Sequence, residues 1–186
     1  MGSMRSNRRA RAAAAVLLAL SIVPAFAGLT AGARKSDIPA VREATLKYKD
    51  LGAALADGYI KFYECTEQPG VGTMGQHYAN LSLVGTREID PLRPEVLVYQ
   101  PTRAGGYRLV AVEYVVLEST WDPAEGVNGP PPTVLGQDLL FRSNGNRYGL
   151  PDFYERHAWI WQGNPRGIFD DWNPNMTCLG EGDNGG

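Results

Sequence analysis

Three residues could do chemistry together: His77, Glu113 and His157. The chain has only two histidines, and both lie in stretches rich in aromatics and amides, Met74-Gly-Gln-His-Tyr-Ala-Asn80 and Phe153-Tyr-Glu-Arg-His-Ala-Trp-Ile-Trp161. Glu113 sits at the centre of the apolar run Leu109 to Leu117. A carboxylate buried there must be neutralised, hydrogen-bonded or metal-bound, because an unpartnered buried charge is too costly. Two imidazoles and one carboxylate suit a divalent transition metal such as zinc, copper or iron, and leave positions open for water, oxygen or substrate. Tyr78 and Gln137 are the expected outer partners of the ligands. The alternative for each histidine is a structural one, a ring hydrogen-bonded to a backbone carbonyl or carboxylate in an aromatic core. HExxH and paired histidines on one helix are absent, as are GxSxG, GxGxxG and the phosphate-binding GxxxxGK[ST], so no familiar hydrolase or nucleotide signature is present.

Other constellations are thinner. Asp170-Asp171 with Glu155 could act as paired carboxylates, although adjacent aspartates in a turn more commonly cap it. Tyr114, Trp159 and Trp161 are the expected lining of an apolar cavity for a small hydrophobic or aromatic ligand in a metal-free binding module. Trp172 and Tyr154 could extend such an aromatic platform. A third reading, a structural or interaction protein of the cell envelope, needs the two histidines to lie far apart.

These residues need elements to position them. Residues 1–27 read as a signal peptide: four arginines, an apolar run from Ala12 to Val23, and the small-x-small ending Ala25-Phe-Ala27. Export to the periplasm or the medium is expected, followed by a flexible segment over 28–38, one domain over 39–179 and a disordered tail over 180–186. The chain holds 18 Lys plus Arg against 20 Asp plus Glu, and cleavage after Ala27 leaves 14 against 20. Such an acidic domain is a poor partner for nucleic acid or an anionic membrane, and no second apolar run is long enough to span one. The two cysteines, Cys65 and Cys178, are expected to form a disulfide in an oxidising compartment.

Val41, Ala44, Tyr48, Leu51 and Leu55 recur at helical spacing and predict one amphipathic helix from Pro39 to Asp57. Glu95 to Gln100 and Tyr107 to Glu118 predict an antiparallel hairpin, its second strand apolar on both faces and therefore central. Asp122 to Pro132 reads as a surface loop, Leu135 to Phe141 as a short strand, and Phe153 to Trp161 as a strand with Phe153, Glu155, His157, Trp159 and Trp161 on one face. The segment Met74 to Asn80 reads as a loop folded over the sheet. The predicted fold is α+β, an N-terminal amphipathic helix packed on a curved antiparallel sheet of about four to six strands.

The motifs GQHY at Gly75 to Tyr78, HAWIW at His157 to Trp161 and DWNPN at Asp171 to Asn175, together with Pro94 to Tyr99 and Gly149 to Tyr154, resemble those of a family of uncharacterised exported bacterial proteins. The resemblance covers nearly all of residues 40 to 178. It implies an exported, single-domain protein and carries no activity or cofactor with it.

Overall fold

The computed structural model describes residues 37–121 and 129–178. The expected signal peptide, most of the 28–38 segment, most of the Asp122 to Pro132 loop and the 180–186 tail lie outside these residues. The described elements are α1 (Ile38–Thr45), a 3-10 turn (Leu46–Lys49), α2 (Leu51–Ala56), β1 (Ile60–Gln68), β2 (Gly72–Ala79), α3 (Leu81–Val84), β3 (Val96–Pro101), β4 (Tyr107–Leu117), α4 (Glu118–Trp121), β5 (Thr133–Val134), β6 (Gln137–Asp138), β7 (Leu140–Arg142) and β8 (Phe153–Ala158).

Six strands form one curled antiparallel sheet in the order β1-β2-β3-β4-β8-β7, and β5 pairs with β6 apart from it. The predicted hairpin is β3 and β4, and β4 is central as its two apolar faces require. The segment from Met74, expected as a loop, is instead part of β2, an inner strand paired with β1 and β3. Its glycines conceal the strand while serving it. At Gly75, where φ is +111°, an added Cβ would stand 2.8 Å from Val98 Cγ1 and 3.0 Å from the Tyr99 carbonyl oxygen. Glycine there lets β3 close against β2.

The predicted single helix is also corrected. It breaks at Asp50, whose backbone is extended and whose carboxylate accepts the Gly52 N–H at 2.9 Å, so that Asp50 caps α2 instead of continuing α1. The Tyr48 carbonyl, released from helical bonding by the break, accepts the Tyr99 hydroxyl at 2.7 Å. Val41 and Tyr48 keep the buried stripe, whereas Leu55 beyond the break is 51% exposed.

Alternation sorts the sheet into two faces. Tyr78, Leu97, Tyr99, Val112, Tyr114 and Val116 face the helical layer of α1 and the 3-10 turn. Val96, Val98, Ala111, Val115, Phe153 and Trp159 face the other way, where Met176 of the C-terminal segment packs on them. That segment is tied down by the Thr73–Asn173 bridge, by the Thr73 hydroxyl donating to the Met176 carbonyl at 2.9 Å, and by the Cys65–Cys178 disulfide. The bridge closes a loop over a separation of 113 residues. No helix of the described residues is long and apolar enough to cross a membrane.

Candidate metal centre

The second face carries three buried polar side chains in a diagonal row over β2, β3, β4 and β8, with β3 supplying none of them. Glu113 on β4 lies directly opposite His157 on β8 and opposite Val96 on β3, while His77 on β2 lies opposite Val98 on β3. The β3 residues under this row are valines. Their short side chains leave His77 and Glu113 free to meet above β3. His77 Nε2 stands 3.5 Å from Glu113 Oε2, and His157 Nδ1 stands 3.9 Å from Glu113 Oε1. One ligand atom from each residue lies within 4.8 Å of the other two.

Tetrahedral zinc with bonds of about 2.0–2.2 Å holds its ligand atoms about 3.3–3.6 Å apart. The His77–Glu113 pair already has that spacing, and a closure of about 1 Å brings in the widest pair. All three residues are buried, and both ring nitrogens of both histidines have no hydrogen-bond partner among the described residues. A core histidine held for structure would donate to a carbonyl or carboxylate at normal distance; here only the Gly75 backbone exerts a weak pull on His77, the Glu113 carboxyl stands no nearer than 3.5 Å, and no bond of good geometry forms. Neighbouring rings fix the imidazoles instead. Trp159 stacks on His157 with centroids 5.0 Å apart and is itself held by its indole N–H donating to the Asp170 carbonyl at 2.6 Å. Tyr148 packs against His77 at 6.2 Å, and the two imidazoles meet edge to face at 5.8 Å.

Burial sets the charge states. It lowers His77 to about 4, against a smaller opposing pull from Glu155, and it holds His157 well below the ordinary value, with His77 adding to the effect. Burial, then the charge of Glu155, raises Glu113 well above the usual carboxylate range. Burial thus favours the neutral form of all three groups, two uncharged imidazoles and a protonated carboxyl. Neutral imidazole is the metal-binding form, and the carboxyl becomes a ligand by giving up its proton.

A buried partner missing from the metal-site expectation is Glu155, two residues before His157 on the same face and within hydrogen-bonding reach of Glu113. Arg142 Nε donates to Glu155, and Arg142 Nη2 donates to Asp171 Oδ2 at 2.5 Å. The line Glu113, Glu155, Arg142, Asp171 thus runs from the centre towards the surface. Asp170, by contrast, caps the turn at Trp172 and pairs with Arg166 at 3.2 Å, so Asp170 and Asp171 do not act as a pair. The alternation that groups Glu155 with His157 was the available signal for Glu155. Nothing local pointed to Arg142, which lies beside a turn.

Two cavities adjoin the centre. A mostly apolar one of about 50 Å³ reaches His77, Glu113 and Glu155 between Phe62, Val96 and Phe153. A second, more polar one of about 300 Å³, with charged and aromatic residues mixed in its lining, shares Tyr148, Phe153 and Glu155 with the first.

The expected outer partners and aromatic pocket lie elsewhere. Tyr78, next to His77 in the strand, points to the opposite face and packs on Tyr99 at 5.2 Å. Gln137 belongs to the small β5–β6 sheet and donates to the Gly136 carbonyl at 2.8 Å. Tyr114 faces the helical layer with its hydroxyl on the Pro91 carbonyl at 2.8 Å, opposite Trp159. Trp161 follows the end of β8 and turns to that same layer, its indole N–H donating to Thr45 Oγ1 at 3.2 Å with Lys49 over its ring. The three aromatics therefore line no common cavity. Comparison with protein-family models, curated proteins and solved structures finds no match.

Proposed function

We propose that this chain is an exported metalloprotein in which His77, Glu113 and His157 bind one divalent transition-metal ion. The observation that carries the reading is a buried carboxyl between two buried imidazoles whose four nitrogens have no hydrogen-bond partner among the described residues. Groups left unpaired at that depth cost about 1–3 kcal/mol each, and a shared cation satisfies several at once. Three ligands would leave room on such an ion for water or another molecule, and the apolar cavity reaches His77 and Glu113. An ion held there can lower the pKa of a bound water or, as iron or copper, take up oxygen. Export is supported by the signal-peptide pattern and by a disulfide, which persists in oxidising compartments.

The two other readings fit less well. An envelope interaction protein needs histidines far apart, and their centroids are 5.8 Å apart. A metal-free module for a small hydrophobic or aromatic ligand between Tyr114, Trp159 and Trp161 lacks its pocket, because Tyr114 and Trp159 lie on opposite faces of the sheet, and the apolar cavity beside the centre, roughly 50 Å³, is well below the ~300–1,000 Å³ of ordinary ligand sites. Elemental analysis tests the proposal. The purified protein, loaded in turn with zinc, copper and ferrous iron and then desalted, is expected to retain one ion per chain. His77→Ala and the nearly isosteric Glu113→Gln are expected to retain far less. Substoichiometric metal in the unaltered protein after all three loadings would overturn it.

A further inference from the structure

The polar cavity of about 300 Å³ has the size of a small-molecule site and shares the Glu155 and Tyr148 wall with the metal centre. Its charges are unevenly engaged. Arg142 is spent on Glu155 and Asp171, whereas Arg147 lies over the Trp172 ring at 5.3 Å with no carboxylate paired to it among the described residues. Arg147 therefore offers a free guanidinium fork at the cavity rim, the geometry that receives a carboxylate in two parallel hydrogen bonds. The carboxylates of Glu155 and Asp171 line the same space and repel a second negative charge. Tyr148 and Trp172 add aromatic wall for an apolar body.

We infer that this cavity binds a small aromatic monocarboxylate, its carboxylate on Arg147 and its ring between Tyr148 and Trp172. The charge pattern selects a monoanion over a dianion, and the free arginine selects an acid over an amine. That the bound acid is also the substrate of the neighbouring centre rests on the metal reading; that it binds does not.

The test is a calorimetric titration of chelator-treated, metal-free full-length protein with benzoate, and with phenylphosphate and benzylamine beside it. Benzoate is expected to bind saturably at one site, phenylphosphate about tenfold more weakly, and benzylamine not at all. Arg147→Gln, an exposed position whose fold is checked by circular dichroism, is expected to weaken benzoate about tenfold or more. Trp172→Leu is expected to weaken it while leaving the preference for benzoate over phenylphosphate unchanged. Absence of saturable benzoate binding, equal affinity in Arg147→Gln, or tighter binding of phenylphosphate would each overturn the inference. Protein that retains metal without binding benzoate removes the cavity assignment alone. Protein that binds benzoate without retaining metal removes the metal centre alone.

Discussion

Glu113→Gln should stabilise the protein without metal and abolish its stabilisation by metal. Burial raises the folded-state pKa of Glu113 above its ordinary 4.5, so its stability contribution is complete below that value and is lost as pH rises towards the folded pKa. The loss is about 1.4 kcal/mol per pH unit within that window. Glutamine has nearly the same shape and no proton to lose, so the metal-free variant should unfold at a higher temperature than the parent at pH 7.5, and at nearly the same temperature at pH 4.5. With metal the order reverses. An ion at a hundred times its Kd stabilises the parent by about 2.7 kcal/mol, and for a domain of this size each kcal/mol moves Tm by roughly 2–4 °C, giving a rise of about 5–11 °C. The variant, lacking the anionic ligand, should show little of that rise. Differential scanning calorimetry of both proteins, with chelator and with excess zinc, copper or ferrous iron, reads all four states. A metal-free variant less stable than the parent at pH 7.5, or a full metal-dependent rise in the variant, would refute the reasoning.

Two further outcomes are expected in urea unfolding. The Cys65→Ser, Cys178→Ser double variant should lose about 5 kcal/mol in the chain-entropy account of a loop this long, and a loss under 1 kcal/mol would contradict that account. Glu95, buried with the Val115 N–H donating to its carboxyl at 3.1 Å, is raised by burial to about 8, so the parent should lose stability from pH 4.5 to pH 8. Glu95→Gln should therefore gain on the parent by up to about 1.4 kcal/mol per pH unit across that window, and a constant difference between pH 5 and pH 8 would count against it.

The parts of the fold legible in the sequence are those where one periodicity dominates. The β3–β4 hairpin follows from two long β-branched runs around a glycine turn, and the alternation of Phe153, Glu155, His157 and Trp159 correctly places the two polar groups on one face. Trp161 departs from that face because β8 ends at Ala158. β2 was not legible, since Gly72 and Gly75 resemble a loop and its buried residues include Thr73, Gln76 and His77. What makes it a strand is non-local: close approach of β3 at Gly75 and pairing of the C-terminal segment at Thr73. The break at Asp50 was hidden for a related reason, as the stripe of Val41, Tyr48 and Leu51 continues through it while the Asp50 carboxylate takes up a local cap. The metal ligands could be named because they are scarce residue types in apolar surroundings. Arg142 and Asp171 could not, because only the fold brings them to Glu155.

A sheet face that could be apolar throughout holds His77, Glu113 and His157 at its centre, and this bears on why they are there. Unpaired buried nitrogens and a carboxyl whose ionisation burial opposes each work against folding, and a domain has only about 5–15 kcal/mol of net stability. Replacing buried ion pairs by well-packed apolar residues of similar volume is often neutral or stabilising by roughly 1–4 kcal/mol. The triple variant His77→Leu, Glu113→Met, His157→Leu should therefore unfold at higher urea concentration than the metal-free parent by an amount in that range, while retaining no metal. Leucine and methionine suit the site because Val96, Val98 and Phe153 already surround it with aliphatic and aromatic contacts. A structural role for the histidines requires the opposite sign, since their loss would then remove interactions the fold relies on. A lower urea midpoint in a folded triple variant would favour that structural role, and a higher one with metal retention abolished would leave ligand binding as the reason the three polar groups occupy the core.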